Sequence, residues 1–186
     1  MLPKIAILIA TGLAQAHGAA IAAHNASSHA LLHTKVLSSG TLRYWGLPSP
    51  EDATRDWDAG WGEPADGFEL PRPAIQRRCG GNVIHCADSN LAHSDVCEAL
   101  VTVLRNHPRV DVADNVRGLV FSAGSLSCCV SWHDYVGNMV QGYLTDAAAK
   151  TLGTCGPGGT ISGYASEVSL NNICTTQCLS TASSCF

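Results

Sequence analysis

The chain has 186 residues, enough for one domain of ordinary size with flanking segments. Only 14% of them are charged, against a typical quarter, and the formal net charge is −4. That balance argues against a nucleic-acid binder and against a polybasic membrane-surface protein. With 46% apolar residues, 18 Gly and 8 Pro, it reads as a small, weakly charged, loop-rich protein.

Residues 1 to 16 carry the features of a secretory signal peptide. Lys4 supplies the positive start, Ile5 to Ala10 an apolar run, and Ala14-Gln15-Ala16 a small-x-small cleavage site after Ala16. The run is too short and too soon polar, at His17, to span a bilayer. No second apolar stretch approaches the length of a membrane span. The expected product is soluble and extracellular, with no membrane span.

Residues 17 to 78 hold no cysteine. The part up to residue 40 is rich in Ala, His and Ser. Residues 48 to 73 hold five prolines and seven acids but few aliphatics. Little apolar surface is available there to offset chain entropy, so the segment is expected to be largely disordered. Tyr44, Trp45, Trp57 and Trp61 are the exception, able to dock on the following domain or on a partner. Asn25-Ala26-Ser27 is an N-glycosylation sequon at Asn25. The segment ends in Arg77-Arg78, a dibasic pair like a kexin-type processing site, and Pro71 and Pro73 favour the extended chain that such a protease needs. Cleavage there would remove a propeptide-like leader and leave residues 79 to 186, with four basic and eight acidic side chains.

The periodic signals lie in residues 79 to 186. Asn82 to Cys86 suggests a short strand. Val96, Ala99, Leu100, Val103 and Leu104 recur at helical spacing from Asp95 to Arg105, with Ser94 or Asp95 as cap and Pro108 as stop. Cys97 sits on the first turn, placed to pin the helix. Val116 to Phe121 and Ser127 to Trp132 read as a hairpin around Ala123-Gly124-Ser125. A second helix is expected from Val136 to Leu152, with Asp134 as candidate cap. Thr160 to Leu170 reads as one strand or two. The expected fold is α+β: a small disulfide-stapled domain with an antiparallel sheet and two main helices on one face.

All nine cysteines follow residue 78: Cys79, Cys86, Cys97, Cys128, Cys129, Cys155, Cys174, Cys178 and Cys185. In an oxidising compartment they are disulfide candidates, and the odd number leaves one thiol free or joined to another chain. Cys128 and Cys129 point to opposite faces if they lie in a strand, so each is expected to reach a different partner. Zinc is the rival reading of Cys174 and Cys178, but no second close pair matches their spacing and the compartment is oxidising. His29 and His33, four residues apart, lie in low-complexity sequence and make a poor metal site. No cofactor is expected.

Catalytic patterns are weak. There is no Gly-x-Ser-x-Gly elbow, no His-Glu-x-x-His and no phosphate loop; Gly156-Pro157-Gly158-Gly159 reads as a turn. Cys129 with His133 and Asp134 is the best nucleophile constellation available, but its thiol is expected to be oxidised. Asp111 and Asp114 are close in sequence, yet lie in a polar loop where solvation is the simpler reading. Trp132, ending a β run, is expected as a core or rim anchor.

Several motifs carry a resemblance. Cys79-Gly80-Gly81-Asn82 with Cys86, the run Cys128-Cys129-Val130-Ser131-Trp132, Cys155 ending the second helix, and Cys174-Thr175-Thr176-Gln177-Cys178-Leu179-Ser180 together resemble the fungal WD-like proteins. Tyr44-Trp45-Gly46-Leu47 and the acidic tract before the cysteines are also similar, so the likeness spans roughly residues 40 to 186. It is unrelated to WD-repeat propellers, since no blade repeat is present. The resemblance implies secretion and a disulfide-stapled domain, but no defined activity or catalytic residues. It also implies a further cysteine where Val120 stands, so that this chain would have lost one half of a bridge. A looser similarity to fungal effectors and killer-toxin-like proteins is fold-level analogy.

The expectation is a secreted, non-enzymatic protein that acts by binding an extracellular protein or cell-surface target, effector-like or toxin-like. A structural cell-wall or surface protein, with an intermolecular disulfide through the odd cysteine, is the first alternative. An extracellular hydrolase using His133 and Asp134 is the second.

Overall fold

A computed structural model describes residues 29–62, 66–70, 79 and 81–181. The first strands are β1 (Ala30–Leu37) and β2 (Gly40–Gly46), followed by one 3-10 turn at Pro50–Ala53. Then come β3 (Val83–Cys86), β4 (Ala92–His93), α1 (Ser94–Asn106), β5 (Asp111–Val112), β6 (Val116–Ala123) and β7 (Leu126–Trp132). The chain continues through β8 (Met139–Val140), α2 (Gly142–Cys155), β9 (Thr160–Ile161), β10 (Gly163–Leu170) and β11 (Ile173–Ser180). Seven strands form one antiparallel sheet in the order β1-β2-β6-β7-β11-β10-β3. Two small ladders, β4-β9 and β5-β8, stand beside it.

Both helices pack against each other and on one face of the sheet, α1 over β6 and β7, α2 over β3, β10 and β11. This is the expected α+β arrangement. Residues opposite one another in an antiparallel ladder share a face. Leu42 faces Phe121, Tyr44 faces Leu119, Phe121 faces Cys128 and Leu119 faces Val130. The bridge from Cys128 to Cys97 on α1 assigns that face to the helices. All of these residues are buried.

Order extends further toward the N terminus than the composition of residues 17 to 78 suggests. β2 lies inside the sheet, between β1 and β6. The physical reason is a period of two in Thr41-Leu42-Arg43-Tyr44, which sends Leu42 and Tyr44 into the core and leaves their neighbours half-buried. The tryptophans dock as well: Trp57 stacks on His33 with centroids 5.0 Å apart, and Trp61 lies 4.6 Å from the His107 ring. Residues 1–28 and 71–78 lie outside the described ones, and with them Ala16, Asn25, Arg77 and Arg78.

α1 falls where the helical spacing places it and buries Val96, Cys97, Leu100, Val101, Val103 and Leu104. Neither Ser94 nor Asp95 caps it; His93 holds that position, and the Ser94 hydroxyl donates instead to the Gly156 carbonyl at 2.9 Å. α2 begins six residues later than the apolar stripe suggests. Asn138 takes a positive φ of 51°, and Met139–Val140 pairs with β5 before the helix starts. Asp134 therefore does not cap α2; its amide donates to Thr175 Oγ1 and its carboxylate meets His133. The hairpin forms as expected, with Gly124 supplying the left-handed turn residue at φ 60°.

Candidate functional site

The cysteines form the frame. Cys97–Cys128 ties the first turn of α1 to β7, Cys86–Cys155 ties β3 to the end of α2, and Cys79–Cys174 ties the chain before β3 to β11. Cys178 is disulfide-bonded too. Cys185 lies outside the described residues. Cys129 corrects the expectation that each member of the adjacent pair reaches a partner: it is a free, buried thiol on the sheet face away from the helices. The residue opposite it on β6 is Val120, which offers no sulfur.

The Cys129, His133 and Asp134 constellation is not an activated set. Burial pushes the Cys129 thiol up to about 12, the reverse of what a nucleophile needs. His133 Nδ1 and Asp134 Oδ1 are 3.2 Å apart, and both side chains stand exposed. Trp132 is buried in the core. His33 is used as a stacking partner of Trp57. Among the described residues, no group of three or more His, Cys, Asp or Glu side chains is placed to hold a metal ion.

A cleft of about 380 Å3 lies where the 3-10 turn meets the entry to β6. That volume is within the ~300–1,000 Å3 of small-ligand sites. Its walls come from Leu47 to Arg55, from Asp114 to Arg117, and from Tyr135. Ser49 and Asp52 close a capping box, with the Ser49 amide donating to Asp52 Oδ2 at 2.7 Å. Asn115 locks this turn to the core: its Nδ2 donates to the Leu47 carbonyl at 2.6 Å and to the Asp52 carboxylate at 2.9 and 3.1 Å. Leu47 N donates back to the Asn115 carbonyl at 2.9 Å. The approach demands a glycine at position 46, where a Cβ would collide with the Asn115 carbonyl.

On the other wall, Asp114 accepts from Tyr135 Oη at 3.0 Å and from the Asn138 amide at 2.9 Å. Arg117 Nη1 donates to the Asp114 and Val116 carbonyls at 2.7 Å each, and its guanidinium lies 5.2 Å from the Tyr135 ring centre. Burial pulls the Arg117 pKa down, with Tyr135 and Asp114 opposing. Arg55 rests over the Trp57 ring at 5.7 Å. None of these wall residues forms a sequence motif. The sequence reading missed them, since the two walls lie some 60 residues apart; the one local signal available was the capping-box spacing of Ser49 and Asp52.

A disulfide-stapled antiparallel sheet with both helices on one face defines a small cysteine-rich α+β protein. Residues 67–186 match the family model described as Fungal WD-like. The chain belongs to that family, as its cysteine motifs suggest. Neither a curated protein nor a solved structure matches it.

Proposed function

We propose that this is a secreted, non-enzymatic binding protein, effector-like or toxin-like, that presents the cleft beside Arg117 to an extracellular target. The observation carrying this reading is how the cleft uses its acids. Asp52 and Asp114 spend their carboxylates on hydrogen bonds that hold the walls together. They serve as frame, and a rigid wall suits recognition, because little order has to be gained on binding. The N-terminal apolar run and the disulfides support an oxidising, extracellular address.

The test has two parts. The protein expressed in a filamentous fungus is expected in the culture medium, lacking residues 1 to 16. Fluorescently labelled protein is expected to bind intact cell surfaces saturably. Retention inside the cell would overturn the address. Turnover of peptide or glycoside substrates that scales with protein and disappears in His133→Ala would overturn the non-enzymatic reading.

A further inference from the structure

Two arginines and three acids line the cleft, yet no arginine is paired with an acid. Arg117 uses only Nη1, and only on backbone carbonyls. Arg55 makes no hydrogen bond or salt bridge to any described residue, and its Nε is buried without a partner. Meanwhile Asp52 takes three hydrogen bonds and Asp114 two from neighbouring N–H and O–H groups. Their carboxylate oxygens are therefore engaged by the walls rather than by the guanidinium donors, although the Asp114 charge still acts on Arg117. The guanidinium groups are braced from one side by aromatic rings, which fixes their planes without consuming their donors. A guanidinium offers five N–H donors in a fork, and its natural complement is a carboxylate or phosphate. Leu47 (42% exposed) and the Tyr135 ring (59% exposed) flank the cleft with apolar surface for an organic body.

We infer that Arg55 and Arg117 form an oxyanion subsite, which takes the carboxylate or phosphate end of an organic ligand whose apolar part rests on Leu47 and Tyr135. This deepens the binding reading above and rests on it. Glu51, exposed at the rim and making no side-chain hydrogen bond to any described residue, opposes anion entry and sets a limit on affinity for multiply charged ligands.

The experiment is a titration of the isotopically labelled full chain with benzoate, acetate and inorganic phosphate, following the arginine Nε–Hε resonances by NMR. Sodium chloride at matched ionic strength is the control. Saturable shifts of Arg55 and Arg117 are expected. Benzoate binding more tightly than acetate assigns the site to organic carboxylates, and phosphate binding most tightly assigns it to phosphate esters. Arg55→Met is expected to weaken binding about tenfold, the effect of losing one charge-assisted contact. Glu51→Gln is expected to strengthen it a few-fold. Arg117→Met gives the same loss as Arg55→Met provided its fold survives; Arg55 makes no frame hydrogen bond, so its variant keeps the test independent of stability. Shifts that stay linear, match those of chloride, or survive Arg55→Met overturn the subsite. Because the titration needs no cellular target, that failure would leave cell-surface binding through another face standing, and the two ideas fail separately.

Discussion

Tyr44 and Gln141 meet inside the core, 97 positions apart, where Gln141 Nε2 donates to the Tyr44 hydroxyl at 2.6 Å. Both residues are fully buried. The bond joins β2 to the start of α2, so a buried side-chain hydrogen bond adds to the β2–β6 ladder in tying the cysteine-free segment to the cysteine-rich one. Burial holds the Tyr44 hydroxyl protonated well above the usual tyrosine range. Tyr44→Phe leaves the Gln141 amide donor with no acceptor there, and Gln141 Oε1 already lacks a partner. A loss of ~1–3 kcal/mol is expected. Urea unfolding at pH 7 measures it. An unchanged midpoint would show that the amide finds water or turns to another acceptor.

Val120 stands directly opposite Cys129 on the sheet face away from the helices. Side chains so placed have Cβ atoms ~4.5–5.5 Å apart, close to disulfide distance. Val120→Cys is expected to oxidise with Cys129, removing two hydrogens from the intact mass. The added bridge is expected to stabilise by ~2–3 kcal/mol, from its short loop. In the parent chain the buried Cys129 thiol is expected to resist maleimide until denaturant is added, then to label once. Rapid labelling of the native protein would mean that β7 opens readily. A thiol this deep also cannot reach a second chain while the sheet stays closed, which removes the ready route to an intermolecular disulfide through Cys129.

The elements that could be read from the sequence are those with one strong periodicity. α1 carries its apolar stripe in the open, and the β6-β7 hairpin has Gly124 at its turn. β11 was hidden, because its buried helix-facing residues include Thr175 and Gln177, which read as polar. Gln177 is buried only because its Nε2 donates to the Leu144 carbonyl at 2.9 Å, a partner no local pattern announces. β1 and β2 were masked by Ala, His and Ser around them and by the proline-rich acidic stretch that follows. The cleft was invisible for a related reason: Arg55 and Arg117 are brought together by the β2-β6 pairing, a property of topology.

Acid is expected to loosen the tryptophan docking. His33 and His107 both have pKa values lowered by burial. For His33 the nearby Asp58 opposes the shift and Lys35 adds to it; for His107 the Trp61 backbone opposes and Lys35 adds. A depressed imidazole binds its proton less well in the folded state than in the unfolded chain. Its stabilising effect is therefore complete above the unfolded value of about 6.5, and is lost as pH falls through the lower folded value. Asp58, held below the ordinary carboxylate range by its hydrogen bond with Lys35, loses its contribution at lower pH again. Tryptophan fluorescence and the thermal midpoint are both expected to fall between pH 6.5 and 5, and His33→Phe is expected to flatten the curve. A pH-independent midpoint in that range would rule the histidines out as the cause.

Proteolysis after Arg78 is expected to nick this protein without separating its parts. No cysteine precedes Cys79, so no disulfide can tie the leader to the rest. Yet β2 pairs along β6 from Thr41–Ser122 to Gly46–Val116, and Leu42 and Tyr44 sit with Phe121 and Leu119 in the common core. Removing β1 and β2 would expose Leu119 and Phe121 and turn β6 into a bare edge, an invitation to aggregation. Kexin-treated protein is therefore expected to elute from size exclusion at its original volume, and to split into two pieces in urea without reductant. A chain expressed from Cys79 alone is expected to be insoluble or to unfold at markedly lower urea. Its folding with unchanged stability would instead establish residues 79 to 186 as the complete structural unit, with β1 and β2 as a detachable cover.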